Sequence, residues 1–256
     1  TYRFSIAWSR VIPDGNGPVN EKGLQFYDDL VNELLKYGIE PMVTVYHWDM
    51  PQALEDQYHG FEDRRIIDDF VNYATVLFKK LGDRVKYWII MNEQNVFTTF
   101  GWMNGMHPPG KKNEEKLFYQ VNHHANIAFA KSVLALKALY PDAKVGSSFA
   151  YTPGYAYDRH PENAMALEDY NDLKNFYWMD IYALGRYPRA AIKYLESKGV
   201  APEFAPGDKQ VLKEAAAKVD FMGVNYYQSC VVEHNPIDGV GMSMEMNTTG
   251  KKGTAK

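Results

Sequence analysis

Five short apolar runs, each followed by a stretch with helical periodicity, constrain this chain more than any other feature. The runs are Tyr2 to Trp8, Pro41 to His47, Val85 to Met91, Lys144 to Phe149 and Val219 to Tyr227. The first helical pattern begins after Asn20, a residue suited to capping, and carries Leu24, Tyr27, Leu30, Val31, Leu34 and Leu35 at i, i+3, i+4, i+7 spacing up to Gly38. The second carries Ile66, Ile67, Phe70, Val71, Ala74, Leu77, Phe78 and Leu81 and stops at Gly82. A long helix is predicted from Glu114 to Tyr140, where Pro141 blocks continuation. Others are predicted over Leu173 to Leu184, Pro188 to Lys198 and Lys209 to Lys218. Strands alternating with helices give parallel βα units of the α/β class. Strands this apolar must be covered on both faces, as parallel strands are. No shift in composition marks a second domain, and the helices follow no fixed repeat length.

The chemistry gathers where the runs end. The second ends in His47-Trp48-Asp49-Met50-Pro51, the third in Asn92-Glu93-Gln94-Asn95 and the fifth in Asn225-Tyr226-Tyr227. In βα barrels the strand C-termini build the active site, so these endings point to a polar pocket around one central carboxyl group. Glu93 directly follows Trp88-Ile89-Ile90-Met91. Partial desolvation there favours the protonated form, which can donate to a leaving oxygen; a structural carboxylate bound to backbone or Arg is the other reading. Asn92 offers an amide to a sugar hydroxyl or is a turn residue. His47 is a hydroxyl partner, a base or a structural histidine, and Asp49 is placed to fix local geometry.

Other classes are poorly served. The formal net charge is −4, from 28 basic and 32 acidic residues, which argues against nucleic-acid and membrane-surface partners. Cys230 is the single cysteine, so the chain has no internal disulfide and suits a reducing compartment. No apolar run approaches the length of a spanning helix. His123 and His124 are adjacent within a helix, face different directions and read as surface or interface residues rather than metal ligands. The Gly-rich segments are turns and loops rather than a phosphate cradle, and the serines at 5, 9, 147 and 148 lack a nucleophile-elbow pattern.

Taken in order, Tyr2-Arg3-Phe4-Ser5-Ile6-Ala7-Trp8-Ser9-Arg10, His47-Trp48-Asp49-Met50-Pro51, Asn92-Glu93 and Asn225-Tyr226-Tyr227 resemble glycoside hydrolase family 1, the retaining β-glycosidases on a (β/α)8 TIM barrel. The resemblance implies that Glu93 is the general acid/base at the end of the fourth family strand. It implies that Asn92 holds the sugar 2-hydroxyl, and that His47 and Trp48 line the glycone subsite. Arg3 corresponds to the arginine contacting the nucleophilic carboxylate; Tyr227 corresponds to the tyrosine bonded to that carboxylate, with Asn225 nearby. No metal or organic cofactor is implied.

The same resemblance predicts a partial barrel of about five βα units, a single barrel domain over residues 1–256 that is incomplete at both ends. It spans the second to the sixth family strands. The first strand with its sugar-binding glutamine, the seventh with the nucleophilic glutamate and the eighth lie outside it. No Thr-Glu-Asn-Gly nucleophile motif occurs; Glu245 comes too soon after Tyr227 and lacks that context. The piece is therefore expected to be inactive alone and to expose two sheet edges. The residues from Met246 to Lys256 read as a loop or tail. Gln94-Asn95, where many members have proline after the acid, and His107-Pro108-Pro109-Gly110 resemble the branch acting on 6-phospho-β-glucosides, which bacteria take up by phosphorylation into the cytoplasm. A plain β-glucosidase is the alternative. A sugar-binding or scaffold protein on a truncated barrel is the rival from another class.

Overall fold

The computed structural model describes residues 1–235 and the backbone of 243–246. In chain order its elements are β1 (Tyr2–Ser5), α1 (Trp8–Val11), α2 (Glu21–Lys36), β2 (Pro41–Tyr46), α3 (Gln52–Tyr58), α4 (Ile66–Leu81), β3 (Tyr87–Asn92) and α5 (Gln94–Thr98). Then come α6 (Glu115–Leu139), β4 (Lys144–Tyr151), β5 (Gly154–Ala156), α7 (Pro161–Asn171), α8 (Tyr177–Leu184), α9 (Arg189–Lys198), α10 (Asp208–Ala216), β6 (Phe221–Tyr226), β7 (Cys230–Glu233) and β8 (Ser243–Met246). Two π-helical turns, Thr99–Met103 and Asp172–Phe176, follow α5 and precede α8.

Five parallel strands form one sheet in the order β1-β2-β3-β4-β6. The sheet is an open, curled part of a barrel, as the sequence predicts. Burial explains the order: β2 and β3 are buried along nearly their whole length, whereas β1 and β6 are largely accessible. Val224 and Tyr226 on β6 are 53% and 62% exposed. A separate small sheet, β5-β7-β8, had no counterpart in the periodicity, because its strands are too short to show one. Glu245 lies on β8 in that small sheet and not at the end of a barrel strand. Residues 247–256, most of the expected tail, lie outside the described residues.

The helices pack a continuous core against the sheet. Trp8 is fully buried, stacks on Tyr73 at 5.0 Å and donates Nε1–H to the Gly15 carbonyl at 3.0 Å. Gly15 sits at φ 78, and a Cβ there would lie 2.3 Å from the Leu54 side chain, so this turn needs glycine on both counts. The first strand accordingly ends at Ser5, and Trp8 opens α1 instead of closing the strand. Asn20 stands at the start of α2 but does not cap it; its amide donates to the Arg10 carbonyl at 3.0 Å.

The expectation of surface-facing histidines is overturned. His123 is fully buried and His124 is 5% exposed. α6 is enclosed by α4 on one flank and α10 on another, so its polar positions face partners rather than water. His123 Nε2 meets Asp208 at 2.8 Å, and His124 Nδ1 donates to the Phe61 carbonyl at 2.9 Å.

Candidate active site

The parallel register brings the three strand endings to one end of the sheet. Asn92 closes β3, and Glu93 follows in the left-handed region at φ 43, which a residue without glycine's freedom adopts only when its surroundings hold it. The Glu93 N–H donates to the Ser148 carbonyl at 2.8 Å, which ties this corner to β4. Trp48, after β2, also has a positive φ of 74, and its Nε1–H donates to the Asn92 carbonyl at 2.6 Å. Asp49 fixes the neighbouring geometry as predicted, accepting the Trp8 N–H at 2.8 Å.

Arg3 on β1 organises the floor. Its Nε donates to Thr44 Oγ1 at 2.9 Å, and its terminal nitrogen donates to Asn92 Oδ1 and, at 3.2 Å, to Ser148 Oγ. Ser148 Oγ also donates to Asn92 Oδ1, at 2.9 Å. With Oδ1 accepting from two donors, the Asn92 amide can point only its NH2 at His47, whose Nε2 is 3.1 Å away. His47 Nε2 is therefore an acceptor. The proton sits on Nδ1 and is directed to Ser5 Oγ at 3.2 Å. Burial, aided by the Arg3 charge and opposed by Glu93, lowers the His47 pKa, which agrees with this neutral tautomer. Burial likewise lowers the Arg3 pKa against the opposing pull of Glu93 and Tyr227; as a guanidinium it stays charged.

Glu93 is 6% exposed. Its Oε1 accepts from Asn225 Nδ2 at 2.6 Å and from Tyr227 Oη at 3.4 Å. A cavity of 520 Å³ opens in front of it, lined among others by Asn95, Tyr170, Lys174, Trp178 and Tyr227. All seven sequence-predicted residues, Arg3, His47, Trp48, Asn92, Glu93, Asn225 and Tyr227, thus share one hydrogen-bonded cluster. The resemblance set Arg3, Tyr227 and Asn225 around a second carboxylate; here Arg3 braces Asn92, and the other two reach Glu93. Thr44 and Ser148 were missed. Ser148 lies within the fourth run and was weighed only as a nucleophile, whereas it serves as a donor to Asn92.

A curled sheet of parallel strands carries, at their C-terminal ends, a buried carboxyl corner ringed by amide, imidazole and guanidinium, which is where βα barrels build their sites. The family model for glycosyl hydrolase family 1 matches residues 1–256, and the chain belongs to that family. It is 50% identical over 253 residues to the aryl-phospho-beta-D-glucosidase BglC of Bacillus subtilis (strain 168), an alignment covering 99% of this chain and 52% of that protein. It is 36% identical over 243 residues to beta-glucosidase A of Acetivibrio thermocellus, covering 95% of this chain and 53% of the relative. Among solved structures, the rice beta-glucosidase Os3BGlu6 superposes with a TM-score of 0.89 at 32% identity, over 98% of this chain and 57% of that one. The beta-glucosidase of Thermotoga maritima in complex with deoxynojirimycin gives 0.86 at 33% identity, over 98% and 55%. The chain spans about half the length of the relatives it matches.

Proposed function

We propose that these residues form the acid/base half of a retaining β-glycosidase and that the whole protein hydrolyses 6-phospho-β-glucosides. The observation that carries the reading is Glu93, held at a strand C-terminus beside Asn92 and His47. Asn225 and Tyr227 both donate to Oε1, so in the neutral acid the proton is carried on Oε2. Glu93 passes that proton to the glycosidic oxygen as the bond to the anomeric carbon breaks. It then takes a proton from the water that releases the sugar. Asn92 holds a glycone hydroxyl, and His47 and Trp48 line the same subsite. Arg3 and Ser148 keep the Asn92 amide oriented. Retention requires a second carboxylate about 5–5.5 Å from the first. We assign that nucleophile to residues outside this sequence, so residues 1–256 act as one barrel domain that does not turn over substrate by itself.

The phosphorylated glycone is supported by the 50% identity to an aryl-phospho-beta-D-glucosidase and by Gln94-Asn95 after the acid. A phosphorylated substrate also fits operation in the cytoplasm. The plain β-glucosidase reading is supported by the beta-glucosidases among the relatives.

The test is hydrolysis by the whole protein of paired aryl β-glucosides with and without a 6-phosphate. A higher kcat/KM on the phosphorylated partner is expected. Preference for the plain glucoside would replace the substrate assignment, and sugar binding without turnover would favour the non-catalytic reading. Glu93→Gln should cost about 10²–10⁴-fold on a poor leaving group. Azide should restore turnover of an activated substrate by attacking the glycosyl-enzyme. Wild-type rates in Glu93→Gln on a poor leaving group would remove Glu93 from the acid role.

A further inference from the structure

We infer that Gln94 is a positioning residue for Glu93, acting through a buried carboxamide network that locks the β3–α5 corner to α6 and α8. The inference rests on the proposed role of Glu93. Gln94 is fully buried, and both ends of its carboxamide are hydrogen-bonded. Nε2 donates to Asn126 Oδ1 at 2.9 Å. It also donates to Asn122, whose carbonyl and Oδ1 lie at 3.1 and 3.2 Å. Oε1 accepts from Tyr182 Oη at 3.1 Å. The partners are themselves fixed. Asn122 Oδ1 accepts from Trp178 Nε1 at 2.7 Å and from Thr98 Oγ1 at 3.1 Å, and Asn126 Nδ2 donates to Tyr187 Oη at 2.9 Å.

This arrangement answers a question that Glu93 poses. A glutamate at φ 43 is strained, and a strained backbone persists only where its neighbours over-determine it. On its N-terminal side the β3 ladder and the Glu93 N–H bond to Ser148 do this. On its C-terminal side the next residue is Gln94, anchored at its carboxamide to two helices from different parts of the chain. The peptide that follows Glu93 therefore cannot rotate without breaking buried hydrogen bonds and leaving buried polar groups unpartnered. The Glu93 carboxyl is held against Asn225 Nδ2 by this corner. Trp178, which binds the same Asn122 oxygen, also lines the cavity in front of Glu93, so the network sets one wall of the site as well.

A purely structural role would lower stability and slow all substrates alike. A positioning role makes a narrower claim: it weakens proton delivery, and so penalises substrates that need a proton to release their leaving group. The test uses the whole protein with Gln94→Met, which keeps the length and removes the hydrogen bonds, and with Tyr182→Phe, a milder change that removes one donor and preserves the ring. Misplacing a catalytic group by about 1 Å can cost roughly 10²-fold. On an alkyl-type leaving group, Gln94→Met is expected to lose at least tenfold more kcat/KM than on a dinitrophenyl leaving group. Tyr182→Phe should show the same split at smaller size. Equal losses on both substrates in folded variants would overturn the inference.

Crystal structures of the variants supply a readout that needs no turnover. The Glu93–Asn225 hydrogen bond of 2.6 Å should lengthen beyond bonding distance or φ of Glu93 should leave the left-handed region. An unmoved carboxyl would refute the positioning role. Absence of turnover in the unmodified protein would instead defeat the proposed function, and the carboxyl position would still decide the role of Gln94.

Discussion

Asp208 is the clearest place to test the energetics of this fold. Its side chain is 3% exposed and accepts four hydrogen bonds: two from Arg64, one from His123 Nε2 at 2.8 Å and one from the Ala205 N–H at 2.8 Å. Burial pushes its pKa up, but the bonds from Arg64, then His123, then Ala205 outweigh it and carry the carboxyl from 3.8 down to about 2. Burial lowers the pKa of His123, so its ring is neutral at pH 7; it donates Nε2–H to Asp208 and accepts from Tyr187 Oη on Nδ1. The group with depressed pKa stabilises the fold fully above the unfolded value near 3.8. That contribution is lost as pH falls through the folded value near 2. A shift of this size corresponds to about 2 kcal/mol at neutral pH, with roughly half remaining at pH 3. In Asp208→Asn one oxygen becomes an NH2 that must face a donor, Arg64 alone at the Oδ1 position or Arg64, His123 and Ala205 together at the Oδ2 position, so the loss at pH 7 should be at least about 2 kcal/mol. Urea unfolding of the whole protein and of Asp208→Asn, compared at pH 7, 5 and 3, reads this directly. The difference should be constant from pH 7 to 5 and smaller at pH 3. A difference that does not change down to pH 3, or one that grows, would refute the assignment of this carboxylate as the charged centre of the cluster.

Two further outcomes follow from named groups. Because the His47 pKa lies below 6.5, its ring stays neutral through neutral pH. Glycone binding should be flat from about pH 7 to 8 and weaken only under acid conditions where Nε2 gains a proton and opposes the Asn92 amide; ¹⁵N chemical shifts should report a proton on Nδ1, and a proton on Nε2 would contradict the network. The outward side chains Val224 and Tyr226 on the accessible strand β6 should make residues 1–256, expressed alone, self-associate. Light scattering should show more monomer when both are replaced by lysine, and a parent chain that is monomeric at high concentration would count against this.

How much could be read from the residues depended on whether the information was local. The five strands and the long helices were legible because their apolar spacing is set by the faces they bury, and Trp8 shows the limit. Its run looked continuous, but the strand ends at Ser5 so that Trp8 can enter the core against Tyr73, a partner remote in sequence. His123 and His124 were misread for the same reason. Polar residues on a helix imply a solvated face unless something packs over them; α10 supplies that cover for His123 and the Phe61 carbonyl a partner for His124, both remote in sequence. Asn92, Glu93, His47 and Trp48 were legible as a site because polar residues after apolar strands stand out, whereas Thr44 and Ser148 are small hydroxyls inside strands and carry no such contrast.

The hydrogen bonds around Glu93 suggest how labour is divided across the barrel. Everything that orients the amide of Asn92, from Arg3 and Ser148 to the tautomer of His47, is supplied by β1 to β4. The groups that touch Glu93 itself, Asn225 and Tyr227, come from β6 and the residue after it, and Tyr227 is 76% exposed. The floor is thus internally hydrogen-bonded, while the flank toward β6 is exposed. A carboxylate arriving on that side would compete with Glu93 Oε1 for the donors of Asn225 and Tyr227. Transfer of those donors to an ionised nucleophile would release Oε1 and add a negative charge close to Glu93. On the proposed reading, competition for Asn225 and Tyr227 at this open flank would couple the two carboxyl groups.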